Sequence, residues 1–281
     1  MRPALIILPL LLACGDKEAD TAAAAGAADD TATDTLPEES ASTYTAGSYR
    51  VETFSIITDA TVGQDIDGDG EADNKLPSVL NLAAGITGEP LAPGEINKSI
   101  VSDLKKGNIV LLTDAEQVGV ELRYDVLLGL SDKSGTVSVD PLSYGDDGQP
   151  NSRFAGIFDT QTEFTVSAGL AELPFSLISG EDPVLIPLEL VVMTGTLEDG
   201  STSGILGGAV PADAFVDDVI ESIIPTGEDY DSADYLDMTR DELIDFIRDF
   251  ANQDGVADIT LEDGRKAVSA AVQFTATPAT W

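Results

Sequence analysis

The sequence predicts a mainly β fold of the α+β class: an antiparallel β-sandwich or rolled sheet with several peripheral helices and a helical C-terminal part across about 211–272. Three observations predict it. From about Ala46 onward, seven or more short runs of β-branched and aromatic residues recur between Gly, Asp and Pro turn signals, the pattern of a sheet folded on itself. Several runs alternate apolar and polar residues, so one face is to be buried. Elsewhere, mostly late in the chain, the apolar residues recur at helical spacing.

In order, Tyr49, Val51, Phe54, Ile56 and Ile57 read as a first strand, and Ile109 to Thr113 as a short apolar one. Val118, Val120, Leu122, Tyr124 and Val126 alternate, giving a long strand to Leu130. Thr136 to Val139, Arg153 to Phe158, Glu163 to Ala168 and Pro174 to Ile178 are further strands. Val184 to Leu197 is apolar enough to be central, although Pro187 lacks a ladder donor and predicts a bulge or an edge. Thr202 to Val210 is glycine-rich and fits neither period.

Pro93 to Lys106 places Ile96, Ile100, Val101 and Leu104 on one helical face and ends Lys105-Lys106-Gly107, cations on the negative helix end followed by a glycine stop. Pro211 to Ile224 opens on proline and carries Phe215, Val219 and Ile223. Thr239 to Ala251 opens with a capping box, Thr239 with Glu242, and buries Leu243, Ile247 and Phe250. Leu261 to Val272 completes the helices.

Composition excludes several functions. Fifty-one acids face 14 bases for a formal charge of −37, with no histidine and one cysteine in 281 residues. Serine–histidine and cysteine–histidine catalysis, histidine-ligated zinc and internal disulfides are therefore excluded. Phosphate backbones would repel such a chain, so nucleic acid is not a partner. Asp213 to Asp263 concentrates the charge, with 17 acids and two bases.

The chain opens MRPALIILPLLLACGDKEAD. Arg2 precedes an apolar run, Ala4 to Leu12, too short for a bilayer span of roughly 20 residues but suited to a signal peptide. Leu11-Leu12-Ala13-Cys14 resembles a bacterial lipobox. The resemblance implies removal of residues 1–13 and a lipid on Cys14. Gly15 rather than Asp follows the cysteine, which by resemblance to Gram-negative lipoproteins points to the outer membrane, on either its periplasmic or its surface face. Residues 14–45, with eight acids against Lys17 and almost no large apolar side chain, read as a disordered acidic tether. Residues 46–281 are then a single β-rich domain.

The sharpest motif is Asp65-Ile66-Asp67-Gly68-Asp69-Gly70-Glu71-Ala72-Asp73. Calcium takes six to eight oxygens at about 2.4 Å. Asp65, Asp67 and Asp69 stand at alternate positions, where three carboxylates turn inward. Gly70 permits the sharp turn, the carbonyl of Glu71 faces the ion, and Asp73 ligates directly or through water. The pattern resembles the start of an EF-hand, dockerin or thrombospondin type 3 loop. It departs where an EF-hand places a bidentate glutamate, since Leu76 stands there, and no strong helical pattern flanks it. A second possible metal loop offers Asn252, Asp254 and Asp258 between two predicted helices, in a register that fits calcium poorly. Tyr144 to Gly148 reads as a hairpin loop.

These residues point to a lipid-anchored, calcium-binding protein of the cell envelope with a structural or adhesive, non-catalytic role. Its partners are the membrane through the anchor and an extracellular glycan or protein. The alternatives are a glycan- or protein-binding surface module and a carboxylate-dependent hydrolase, which requires two carboxylates facing each other in a cleft.

Overall fold

The computed structural model describes residues 47–281 apart from 88–90, 133, 179, 181 and 199. The predicted signal peptide, Cys14 and the tether lie outside the described residues.

The fold is a closed barrel, which corrects the predicted sandwich or rolled sheet with its helical C-terminal part. The strands are β1 (Gly47–Ile56), β2 (Leu111–Val118), β3 (Glu121–Ser131), β4 (Val137–Val139), β5 (Ser152–Phe158), β6 (Glu163–Phe175), β7 (Val184–Glu198), β8 (Ser201–Pro211), β9 (Ile259–Thr260) and β10 (Lys266–Pro278). Neighbours run β1-β2-β3-β5-β6-β7-β8-β10, and β10 returns to β1, from Tyr49 opposite Pro278 to Ile56 opposite Val272. Every pairing is antiparallel, with β4 and β9 appended to β3 and β10.

An eight-stranded barrel is just wide enough for side chains to fill it. Tyr124, Phe154, Phe164, Leu173, Val191 and Met193 are all at most 1% exposed. The Tyr124 ring stacks on Phe164 at 5.5 Å, and its hydroxyl donates to Thr113 Oγ1 at 3.1 Å. Burial pushes this phenol up to about 12. The facing pair Gly195 and Gly204 makes room for these rings: a Cβ on Gly195 would lie 2.8 Å from Phe164. A void of about 20 Å³ remains, lined by apolar groups such as Leu111, Met193 and Phe274 together with Thr113. Outside, hydroxyls pair across strands, Thr53 with Thr275 at 2.7 Å and Thr196 with Ser203 at 3.0 Å. An apolar, filled interior is the reverse of the polar lumen of a membrane-spanning barrel.

Helices close the end where β1, β6 and β8 finish. They are α1 (Leu76–Thr87), α2 (Pro93–Lys106), α3 across 212–223 with a π turn at Phe215–Ile220, and α4 (Arg240–Ala251). Ile96, Ile100, Phe215, Val219 and Ile247 join Phe175, Ile186 and Val210 in one core. Asn97 of α2 clasps the end of β1, its amide bonding Ile56 N–H at 2.8 Å and Ile56 C=O at 3.0 Å. α2 ends as its sequence requires, on Gly107 at φ 76°. The Thr239–Glu242 capping box opens α4. None of the helices among the described residues is long and apolar enough to cross a membrane.

The C-terminal part is not helical as predicted. Leu261 to Val272 forms the β9–β10 turn and most of β10. Val268, Ala270, Val272, Phe274 and Ala276 recur at the strand period and point into the barrel; the alanines among them mimic helix composition. Glu163 to Ala168 and Pro174 to Ile178 belong largely to one strand, β6. The bulge expected in β7 falls between Glu189 and Val192, with Leu190 at φ 53°. α1, unpredicted, starts at Leu76 immediately after the acidic loop.

Candidate metal centre

The segment between β1 and α1 leaves the barrel rim and lies back on the outer wall of β8 and β10. Asn74, 2% exposed, holds it there. Its Nδ2 donates to the carbonyls of Ile57 (2.9 Å), Asp59 (3.1 Å) and Val62 (3.2 Å), and its Oδ1 accepts the N–H of Ala271 at 3.2 Å. The base of the loop closes where Asp73 N–H meets Gln64 C=O at 2.9 Å. Gln64 Nε2 then reaches Thr194 Oγ1 at 2.8 Å and Ile205 C=O at 3.1 Å. Gly207 is required beneath it, since a Cβ there would stand 2.7 Å from the Gln64 side chain. Ile66 packs against Ala209, Ile259, Leu261 and Ala267. Strand, loop and helix thus replace the helix, loop and helix of an EF-hand.

On this support the carboxylates converge. Asp65, Asp67 and Asp73 each offer an oxygen, and the three oxygens lie within 4.8 Å of one another. That is the widest separation two oxygens can have when each is about 2.4 Å from one ion. The loop amides hold the side chains in place. Asp65 accepts from Gly68 N (2.8 Å) and Gly70 N (3.0 Å), Asp67 from Asp69 N (3.1 Å), and Asp73 from Ile66 N (2.7 Å) and Asp67 N (3.3 Å). Gly68 and Gly70 take φ of 82° and 91°, which other residues adopt only with strain. Asp69 and Glu71 stand outside the triangle; Asp69 Oδ1 accepts Glu71 N–H at 2.8 Å. Leu76, at the place of the EF-hand glutamate, is 2% exposed in the core.

Asp73 is the half-buried member of the triangle. Burial pushes its carboxyl above the ordinary range, against the pull of the Ile66 and Asp67 amides, and the charges of Asp67 and Asp258 push the same way. A cation between these carboxylates would remove both penalties.

The second predicted loop is built differently. Because β10 replaces the predicted helix, it is a helix-to-hairpin turn. Its three candidate ligands turn to separate partners. Asn252 Nδ2 donates to Asp213 Oδ1 (3.2 Å) and Arg248 C=O (3.0 Å). Asp254 meets Lys266 Nζ at 3.0 Å in solvent. Asp258 accepts the N–H of Ser269 at 2.9 Å and its hydroxyl at 2.5 Å. Tyr144 to Gly148 forms the expected tight turn, with Gly145 N–H on Gln149 C=O at 2.9 Å.

Sequence reasoning missed Asn74, Gln64, Gly207 and Ser269. Only the Asn74 polarity, directly before an apolar helix start, hinted at a role. Comparisons with protein-family models, with curated proteins and with solved structures give no match.

Proposed function

We propose that this chain is a calcium-clamped, non-catalytic barrel of the bacterial cell envelope, lipid-anchored through Cys14 at the outer membrane, with a structural or adhesive role. The observation that carries the calcium reading is the Asp65–Asp67–Asp73 triangle on a loop already hydrogen-bonded into shape. Three carboxylates and a carbonyl such as that of Glu71 are the hard oxygen donors calcium prefers, with water completing the shell. Bound calcium would tie the β1–α1 segment to the barrel wall. The packed interior, with its void of about 20 Å³, favours a scaffold over a carrier of internal ligands. The anchor rests on the Leu11-Leu12-Ala13-Cys14 sequence.

Calorimetric titration of the full-length chain with calcium is expected to give saturable heat that Asp65→Ala plus Asp69→Ala removes. Equal heats from both proteins would end the calcium reading. Radiolabelled palmitate incorporation that disappears in Cys14→Ser tests the anchor.

A second reading, a glycan-binding surface, is favoured by an open groove across β6, β7 and β8. Thr165, Thr194, Thr196 and Ser203 line it, with Asp159 and Glu163 at its edge. It predicts retardation in a neutral polysaccharide gel that Thr194→Asp plus Thr196→Asp abolishes.

A further inference from the structure

The two acidic loops, far apart in sequence, meet on the wall of β10 through two separate contacts. The first is apolar. Ile66, flanked by two members of the carboxylate triangle, packs with Ile259 and Leu261. The second is polar and centres on Ser269. Its hydroxyl oxygen accepts Lys75 N–H at 2.9 Å while its proton goes to Asp258 Oδ2 at 2.5 Å, and its carbonyl accepts the same Lys75 N–H at 3.0 Å. A hydroxyl that accepts on one side and donates on the other strengthens both bonds.

The turn is also bound to the helices beyond it. Asn252 links the end of α4 to Asp213 of α3. Arg248 of α4 reaches Asp217 at 2.8 Å and Glu221 at 3.4 Å. These helices hold much of the strongly acidic stretch between Asp213 and Asp263.

We infer that the loop 57–75 and the turn 252–261 open and close as one unit, so that the state of the cation loop governs how firmly α3 and α4 sit on the barrel. The direction of this control rests on the calcium reading; the mechanical link does not. Each contact costs exposure of apolar surface or an unpaired buried group when only one partner leaves. Joint opening is thereby favoured over separate opening. By reciprocity, whatever tightens one segment tightens the other.

Native-state hydrogen exchange on the full-length chain tests this. Calcium is expected to slow amides in 57–75 and also those in 252–261 by about fivefold or more. In chelator, Ile66→Ala is expected to speed exchange in both segments alike. Asp258→Ala is expected to do the same from the other side, and it provides the test if Ile66→Ala does not fold. Slowing confined to 57–75 would overturn the link and leave the calcium reading intact. If calcium neither binds nor slows exchange, the calcium reading fails, and the variants in chelator decide the link. Both segments quickening supports it; one alone overturns it.

Discussion

The loop 65–73 and the turn 252–261 share composition, wall and neighbours, yet only one gathers its carboxylates. In the first, Asp65 and Asp67 stand two apart, with glycines at 68 and 70 bending the chain so that Asp73 comes back to meet them. In the second, Asn252, Asp254 and Asp258 are already engaged by Arg248 and Asp213, by Lys266 and by Ser269. Spacing and glycine placement bring the carboxylates of 65–73 together; acid count does not. A carboxylate that already accepts from a serine or a lysine has less to gain from an ion.

Four predictions sharpen the contrast. The largest concerns affinity. Asp73→Ala is expected to weaken calcium binding by about a hundredfold or more, measured by calorimetry, whereas Asp254→Ala leaves it unchanged. Next, Asn74→Ala strips four hydrogen bonds from the loop anchor and is expected to cost about 3 kcal/mol in denaturant unfolding. Third is pH. Because the folded-state pKa of Asp73 is raised, the stability this group contributes without calcium is fully present below its unfolded value and is lost as pH rises through the folded one. Calcium offsets that loss, so the calcium-induced rise in melting temperature is expected to be largest near neutrality and to shrink as pH falls through the carboxylate range. The smallest effect is Asp254→Ala on stability, within about 0.5 kcal/mol by thermal melting, since its pair with Lys266 is exposed.

The site was more legible than the fold. The Asp-x-Asp-x-Asp-Gly spacing is local, and every ligand candidate lies within nine residues. Its support was hidden, because Asn74 and Gln64 act through Ala271, Thr194 and Ile205, more than a hundred residues away. Closure of the barrel was hidden for the same reason. The pairing of Tyr49 with Pro278 joins the two ends of the described chain, and no local pattern encodes it. The strand Lys266–Pro278 was legible in principle. Its period of two was masked by three alanines between Ala267 and Ala271, small enough to suit the crowded wall and interior but read as helix formers. The glycines of β8 were likewise silent until the ring of Phe274 and the side chains of Leu188 and Gln64 showed what they make way for.

Whether calcium clamps the 57–75 loop to the barrel can be read from thermal unfolding. The most direct test is the melting temperature of the full-length chain as calcium rises from chelator to saturation, beside Asp65→Ala plus Asp69→Ala. At a hundred times the dissociation constant, binding to the folded state adds about 2.7 kcal/mol, which raises the melting temperature by about 5–10 °C for a domain of this size. That rise is expected in the wild-type chain, and none in the variant. Identical melting of the two proteins at every calcium concentration would contradict it.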